Sequence, residues 1–508
     1  MKLFERFPGA SKSPVFTWMF CLGLISSLVS ACQSQTGSLA LAGPEEEAAF
    51  STEAPLTIES EVTPLPTRPA YSPGELVDYT VQSGDTLPAL ASHFNTSILE
   101  LREANPIIPE DVTTLPPGMP MKIPIYYAPL WGTSYQILPD SHFVNGPAQM
   151  AFDSSAFLDD KSGWLKGYIE YASGDNRSAA EIVDLVAMNF SVSPRLLLAL
   201  LEYQAGGVTQ PTPPEDADQF VLGNIDQRHR GLYLQLVWAA NTLNNGYYAW
   251  RSGDIEPIIH LDGTLERPDP WQNAGTVALQ KYFSLLYPPE KYNQAIGGDG
   301  LAAIYETLFG DAWENEQPHI PGSLPQPELM LPFEPGETWA LTGGPHTGWG
   351  TGAPFAALDF APPSVVGGCV PSNEWVTAVA PGVVVRSEPG IVVLDLDGDG
   401  DDRSGWSIFH LHVANEGRVP IGARLNVGDK IGHPSCEGGT STGTHIHVAR
   451  KYNGEWILAE GPLAFNLEGW IAQNGAQPYL GTLTRFSRTV TACVCSDSES
   501  FITSGERE

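Results

Sequence analysis

The chain has 508 residues, too many for a single hydrophobic core, so several domains are expected. Lys plus Arg number 26 and Asp plus Glu 59, a formal net charge of −33. A chain this acidic repels phosphate backbones, which argues against nucleic acid as a partner.

The N-terminus reads as an export signal over residues 1–31. Lys2, Arg6 and Lys12 make a positive start, and Val15 to Val29 is apolar but short for a membrane span. The segment ends Val29-Ser30-Ala31-Cys32, which resembles the bacterial lipoprotein box. That resemblance implies a lipid on Cys32, attachment to a membrane, and a place in the cell envelope facing the wall. An ordinary cleaved signal or an uncleaved anchor are the alternative readings. Residues 32–76 are rich in Pro, Glu, Ser, Thr and Ala, have little to bury, and read as a disordered tether.

Residues 77–126 form a small module. A strand from Tyr79 leads into a turn at Ser83-Gly84-Asp85, and Leu87, Leu90, Ala91 and Phe94 repeat at helical spacing. A second helix through Leu101 stops at Asn105-Pro106, and Met121-Lys122-Ile123-Pro124 closes with another strand. The opening Tyr79-Thr80-Val81-Gln82-Ser83-Gly84-Asp85-Thr86-Leu87 and the Leu115 to Pro124 ending resemble a LysM domain. The resemblance implies a βααβ module that binds N-acetylglucosamine-containing glycans. Pro88 within the first helix and an extended turn over Ile107 to Thr114 depart from the pattern.

Residues 127–325 read as an all-α middle domain. Ser193-Pro194 caps a helix through Leu201 with Gly206 as its stop. A second helix through Tyr233, Leu236, Val237 and Ala240 is expected to end near Gly246, and a third covers Leu301 to Phe309. The stretch Ser193 to Gly206 faintly resembles the glutamate-bearing helix of lysozyme-like lytic transglycosylases. Gln204 stands where that family has its acid, with Glu202 two residues away, so a helical spacer or glycan-docking domain is the preferred reading.

From residue 326 to 470 short strands and Gly or Asp turns alternate, and a mostly antiparallel β-sheet is expected. Here the histidines gather. Successive side chains on a strand face opposite ways, so His445 and His447 point together, and His410 and His412 are expected to do the same. His346 and Asp359 stand 13 residues apart in glycine-rich settings. Two imidazoles and a carboxylate hold zinc with one position open, leaving further histidines for proton transfer. The acidic run Asp395 to Asp402 has early calcium-loop positions, but Trp406 stands where the loop needs Glu, which favours a solvent-facing turn. His433 reads as a turn residue. The final segment, 471–508, reads as a loosely packed polar tail.

The order of Gly343-Gly344-Pro345-His346, Ala357-Leu358-Asp359-Phe360, Phe409-His410-Leu411-His412 and Gly443-Thr444-His445-Ile446-His447 is similar to that of the lysostaphin-like (LytM-type) zinc peptidases. The commonest pattern places its first His where this chain has Phe355. The long spacing to His346 resembles the beta-lytic (staphylolysin-like) branch. By that resemblance His346, Asp359 and His447 hold one Zn2+, and His445 is the base. The second helper is His410 or His412, of which His412 spaces better to Val419-Pro420-Ile421-Gly422. The expected protein is thus multidomain, a cell-wall endopeptidase cutting stem or cross-bridge peptides of peptidoglycan and held on glycan by LysM. An inactive peptidoglycan-binding scaffold or amidase activator, and a zinc peptidase of ordinary proteins, are the competing readings.

Six cysteines fit an exported protein. Cys21 and Cys32 belong to the signal. Cys369 and Cys436 are expected to pair, and Cys493 and Cys495 bridge each other or pair elsewhere.

Overall fold

The computed structural model describes residues 64–505, apart from 130, 216–218, 315, 365, 495 and 496. The export signal, Cys32 and the tether up to residue 63 lie outside the described residues. The last part of the tether differs from expectation: residues 64–74 run along the body of the protein. The Pro66 carbonyl accepts from Ser134 N (3.1 Å) and Thr133 Oγ1 (2.9 Å), and Arg68 pairs with buried Asp269 (2.7 Å) while lying over Trp271. One charge pair and one aromatic face suffice to hold a Pro-rich strand that needs no secondary structure.

The first module has the expected βααβ order: β1 (Glu75–Thr80), α1 (Leu87–His93), α2 (Ile98–Ala104) and β2 (Pro120–Ile125). Thr86 caps α1, and Ser97 with Glu100 forms a capping box on α2. Pro88 sits in the first turn of α1, where its missing N–H costs nothing. Strands β1 and β2 pair antiparallel, and Leu90, Phe94, Leu101 and Ile123 fill the core.

The middle block is mainly helical: α3 (Asp140–Phe143), α4 (Ser154–Asp159), α5 (Ala179–Phe190), α6 (Pro194–Ala205), α7 (Leu232–Ser252), α8 (Ala274–Ser284), α9 (Pro289–Ile296) and α10 (Ala303–Phe309). It is not all-α. Two hairpins interrupt it, β3 (Ile169–Ala172) with β4 (Asp175–Ser178), and β5 (Ile258–Ile259) with β6 (Leu265–Glu266). Helix α6 starts on the Ser193 cap and stops at Gly206, whose φ is 58°. Helix α7 runs past Gly246 to Ser252 instead of ending there. Gly246 faces α8, where an added Cβ would lie 2.8 Å from the Ala278 Cα; the glycine serves close helix packing and not termination. Glu202 is consumed by the backbone N–H groups of Val208 and Thr209, and Gln204 by Leu222, Tyr287 and Tyr282. Both side chains do structural jobs, which leaves the lysozyme-like reading without a free acid.

The C-terminal domain contains β7 (Thr338–Thr347), β8 (Phe355–Ala361), β9 (Val376–Thr377), β10 (Gly382–Glu388), β11 (Gly390–Asp395), β12 (Trp406–Val413), β13 (Arg424–Leu425), β14 (Lys430–Gly432), β15 (Ile446–Tyr452), β16 (Glu455–Trp456), β17 (Asn466–Leu467), β18 (Trp470–Asn474), β19 (Gly481–Arg485), β20 (Arg488–Thr491) and β21 (Phe501–Thr503). Nine strands form the main sheet in the order β13-β10-β11-β12-β15-β8-β7-β21, with β16 beside β15. Every pairing in it is antiparallel. The expected loose tail is instead structured. Strands β17 to β20 make a four-stranded sheet, β21 pairs with β7, and Leu483, Val490 and Ile502 are buried. Alternating apolar residues in a polar stretch suffice for strands once a neighbouring sheet supplies a partner edge.

One face of the main sheet, with Leu358, Val392, Ile408 and Val448, joins the C-terminal domain's own core. The other face, with Ala357, Val393, Phe409, Leu411 and Ala449, shares a core with the middle helices. The three blocks meet at a buried charge cluster. Arg251 of α7 pairs with Asp140 (3.0 Å) and Glu455 (3.2 Å) and donates to the Ser83 carbonyl of the first module. Glu455 also accepts from Tyr247 (2.6 Å) and faces His319 Nε2 (2.6 Å).

Candidate metal centre

Three neighbouring strands bring the site together. In the ladder, His447 on β15 lies directly across from Asp359 on β8, and Asp359 across from Gly343 on β7. Side chains at paired positions share a face. The β7–β8 register then slips, so that His346 pairs with Ala357. The irregularity at Gly344-Pro345 turns His346 onto the same face as Asp359. Gly343 leaves room for the carboxylate: a Cβ there would lie 2.5 Å from Asp359 Oδ2.

Asp359 Oδ1 lies 3.2 Å from His447 Nδ1, 3.3 Å from His346 Nε2 and 3.7 Å from His445 Nε2. His346 Nε2 and His447 Nδ1 are 3.0 Å apart. His346, Asp359 and His447 are all buried. Burial pushes the Asp359 carboxyl up, but the imidazoles of His346 and His445 outweigh it and hold it well below the usual carboxylate range.

Each ring is fixed from behind by a backbone carbonyl. His346 Nδ1 meets the Gly344 carbonyl (2.8 Å), His447 Nε2 that of Gly348 (3.1 Å), His445 Nδ1 that of Gly443 (2.8 Å) and His412 Nδ1 that of Glu437 (2.8 Å). A carbonyl only accepts, so each of these nitrogens carries the proton. When a ring is neutral, as it must be to hold a metal, its opposite nitrogen keeps a lone pair. For His346 and His447 that lone pair faces Asp359.

Zinc fits this donor set. Asp359 Oδ1 is buried and has no hydrogen-bond partner among the described residues, and the Nε2 of His346 and Nδ1 of His447 converge on it. The ligating atoms of His346, Asp359 and His447 all lie within 4.8 Å of one another. Two nitrogens and a carboxylate oxygen, with backbone acceptors behind the rings, suit zinc with one position left open.

The sequence expectation for His410 and His412 is corrected. They do not share a face. His410 pairs with Val448 and Val392, residues of the domain's own core, whereas Leu411 pairs with His447. His412 has φ 70°, and this left-handed residue breaks the alternation of β12. Its ring reaches the site, 4.5 Å from that of His445. The Ser435 N–H (2.7 Å) and hydroxyl (2.9 Å) both bind the His412 carbonyl and hold the unusual backbone. His410 stays buried behind the sheet. Burial pushes the His412 imidazole down to about 4, helped by the charge of His445.

Tyr479, in the stretch expected to be a loose tail, stacks over His346 at 4.2 Å. The hairpin that carries it is tied to β7, with Gly344 N donating to the Tyr479 carbonyl (2.8 Å). No local motif marks this tyrosine. The Cys369–Cys436 disulfide forms and joins the loop after β8 to the loop before β15. Beside it, Thr444 N donates to the Gly368 carbonyl (3.1 Å). Cys493 is also disulfide-bonded, and Cys495 lies outside the described residues.

The other motifs stay apart from the site. Asp395 is buried and accepts from the N–H groups of Asp397, Gly398 and Gly400, as a turn-forming aspartate does. The His433 ring lies 3.8 Å from that of Trp375, tilted by 38°, directly after β14 and not in a turn.

Residues 79–124 match the family model described as LysM domain, and residues 136–322 match the one described as LasA, N-terminal domain. Protease LasA of Pseudomonas aeruginosa is 26% identical over 352 residues, which cover 64% of this chain and 75% of that protein. The beta-lytic metalloendopeptidase of Lysobacter enzymogenes is 30% identical over 141 residues, 26% of this chain and 74% of that protein. Among solved structures, the M23 metalloprotease pseudoalterin from the deep sea aligns at 24% identity over 33% of this chain and 96% of its own, with a TM-score of 0.28. A relative 30% identical and covered over 74% of its length shows that the chain belongs, through its C-terminal domain, to the beta-lytic metalloendopeptidase family.

Proposed function

We propose that this protein is a zinc-dependent endopeptidase that hydrolyses peptide bonds in peptidoglycan and is kept on its substrate by the LysM module. The observation that carries this reading is the convergence of His346 Nε2, Asp359 Oδ1 and His447 Nδ1 on one face of three paired strands. Zinc held by these atoms would supply Lewis acidity and acidify a water at neutral pH.

The remaining steps belong to the side chains. His445 carries a lone pair on Nε2 at the mouth of the site and takes the proton of the attacking water. His412 also presents an unprotonated Nε2, because its Nδ1–H is committed to Glu437. It therefore steadies a developing oxyanion only after accepting a proton, and the oxyanion's charge favours that state. The stacked Tyr479 ring shields His346 from water on one side. LysM raises the local concentration of cross-links by binding the glycan that bears them.

In this reading the chain is exported and anchored in the cell envelope by lipid on Cys32, on the strength of its N-terminal sequence alone. Fatty-acid labelling tests that part: label is expected on the wild type and lost in Cys32→Ser.

The activity is tested with purified full-length protein, zinc, peptidoglycan and casein side by side. Mass spectrometry should find cut stem or cross-bridge peptides with intact glycan. Cleavage of casein alone would move the substrate to ordinary proteins. Cleavage of neither by zinc-loaded protein would leave a binding scaffold.

A further inference from the structure

We propose that helix α7 of the middle domain is a positioning element for the metal centre, acting through Asn241 and Asn245 on the loop that holds His447. The inference rests on the reading of His447 as a zinc ligand. Residues 348–354 form the end of the β7–β8 hairpin. At its start, the Gly348 carbonyl accepts the Nε2–H of His447 (3.1 Å), which is what leaves Nδ1 aimed at Asp359. Gly348 N donates to the Pro354 carbonyl (3.0 Å) and closes the loop.

The tip of this loop is held from another domain. Thr351 N donates to Asn241 Oδ1 (2.7 Å), and Asn241 Nδ2 donates back to Thr351 Oγ1 (3.0 Å). Ala353 N donates to Asn245 Oδ1 (2.7 Å), and Asn245 Nδ2 donates to the Thr351 carbonyl (3.2 Å). The two asparagines are four residues apart and share one face of α7. Each uses both ends of its amide. Asparagine is a poor choice inside a helix, so a pair of them there calls for a reason.

The loop is shaped to receive them. Gly350 and Gly352 have φ of 84° and 86°, and added Cβ atoms would lie 2.5 Å from Asn241 Oδ1 and 2.1 Å from Asn245 Oδ1. Trp349 fills the space beneath, edge-on to Phe190 of α5 and to Phe409, which in turn lies edge-on to His447. The chain of contact from α7 through the loop to the ligand ring is continuous. A partner behind a ligating histidine typically changes metal affinity 10- to 100-fold, roughly. The asparagines act one step behind that partner, so an effect of about tenfold is expected.

The experiment uses full-length protein carrying Asn241→Ala with Asn245→Ala, and separately Gly352→Ala, which pushes the loop off α7 while leaving the helix untouched. Zinc affinity is read by competition with a chromophoric chelator. The His447 tautomer is read in zinc-free protein by NMR with 15N-labelled histidine. Both variants should bind zinc about tenfold more weakly, roughly the low end of that range, and lose the single Nε2–H tautomer at His447. Asn245→Asp keeps the acceptor for Ala353 N and should recover part of the affinity. Unchanged zinc affinity with an intact tautomer in the folded variants overturns this inference alone. A wild type that binds no zinc overturns the metal reading and this inference together.

Discussion

Glu455 is where stability and domain arrangement are most exposed to one substitution. Its carboxylate is buried on β16 and faces Arg251, His319 and Tyr247. Burial raises its pKa, but the Arg251 charge and the His319 bond prevail and lower it from 4.5 to about 2. At about 1.4 kcal/mol per pKa unit, the charged form is favoured in the fold by about 3 kcal/mol. Glu455→Gln removes that charge and leaves Arg251 with Asp140 alone, so it should cost about 3 kcal/mol at pH 7, the scale of a broken buried pair. The folded pKa is depressed, so this contribution is present above the unfolded value near 4.5 and fades as pH falls toward 2. The assay is denaturant unfolding of wild type and variant from pH 7 to pH 2.5, with fluorescence and circular dichroism checked for coincidence. Taking the difference between the two proteins cancels the other carboxylates. A gap below about 1 kcal/mol at pH 7, or one that does not shrink below pH 4, would refute the reasoning.

Three further outcomes concern the metal centre. His447→Ala should abolish zinc binding, whereas His445→Ala should retain zinc and lose roughly 10²- to 10⁴-fold in peptide hydrolysis; metal analysis and a peptidoglycan digest check the pair. Gly343→Ala places a Cβ 2.5 Å from Asp359 Oδ2; displaced carboxylate geometry should weaken zinc at least about tenfold, with about 1–3 kcal/mol of lost stability, measured by chelator competition and thermal unfolding. Tyr479→Ala removes the ring stacked on His346, and an aromatic contact of about 0.5–1.5 kcal/mol predicts zinc affinity lower by roughly two- to tenfold, read in the same competition.

Much of the site was legible because strand geometry is local. The period of two places His445 and His447 together without any knowledge of the rest of the fold. The Ser193 cap marks the start of α6 in the same local way. The spacing between His346 and Asp359 was readable only as a resemblance, since a hairpin with a register slip cannot be derived from counting. The same local logic misled at His410 and His412. It assumes unbroken alternation, and one left-handed residue at His412 ended it. Gly246 misled for a related reason: a glycine reads as a stop, but α8 uses the missing side chain as a packing surface.

From the order of its residues alone, this chain determines which groups are available for chemistry and which short elements carry them. The helical spacing of α1, the capped start of α6 and the common face of His445 and His447 follow from caps and periods, whereas the LysM module and the His-Asp-His set are legible only through resemblance to known families. Only the tertiary structure shows how the break at His412 brings its ring to the site while His410 stays away, that Tyr479 lies over His346 more than a hundred residues before it, and that two asparagines of a helix hold the loop behind His447. Those outcomes depend on contacts between distant segments, and a contact of that kind is settled by how whole faces pack, which no local pattern encodes.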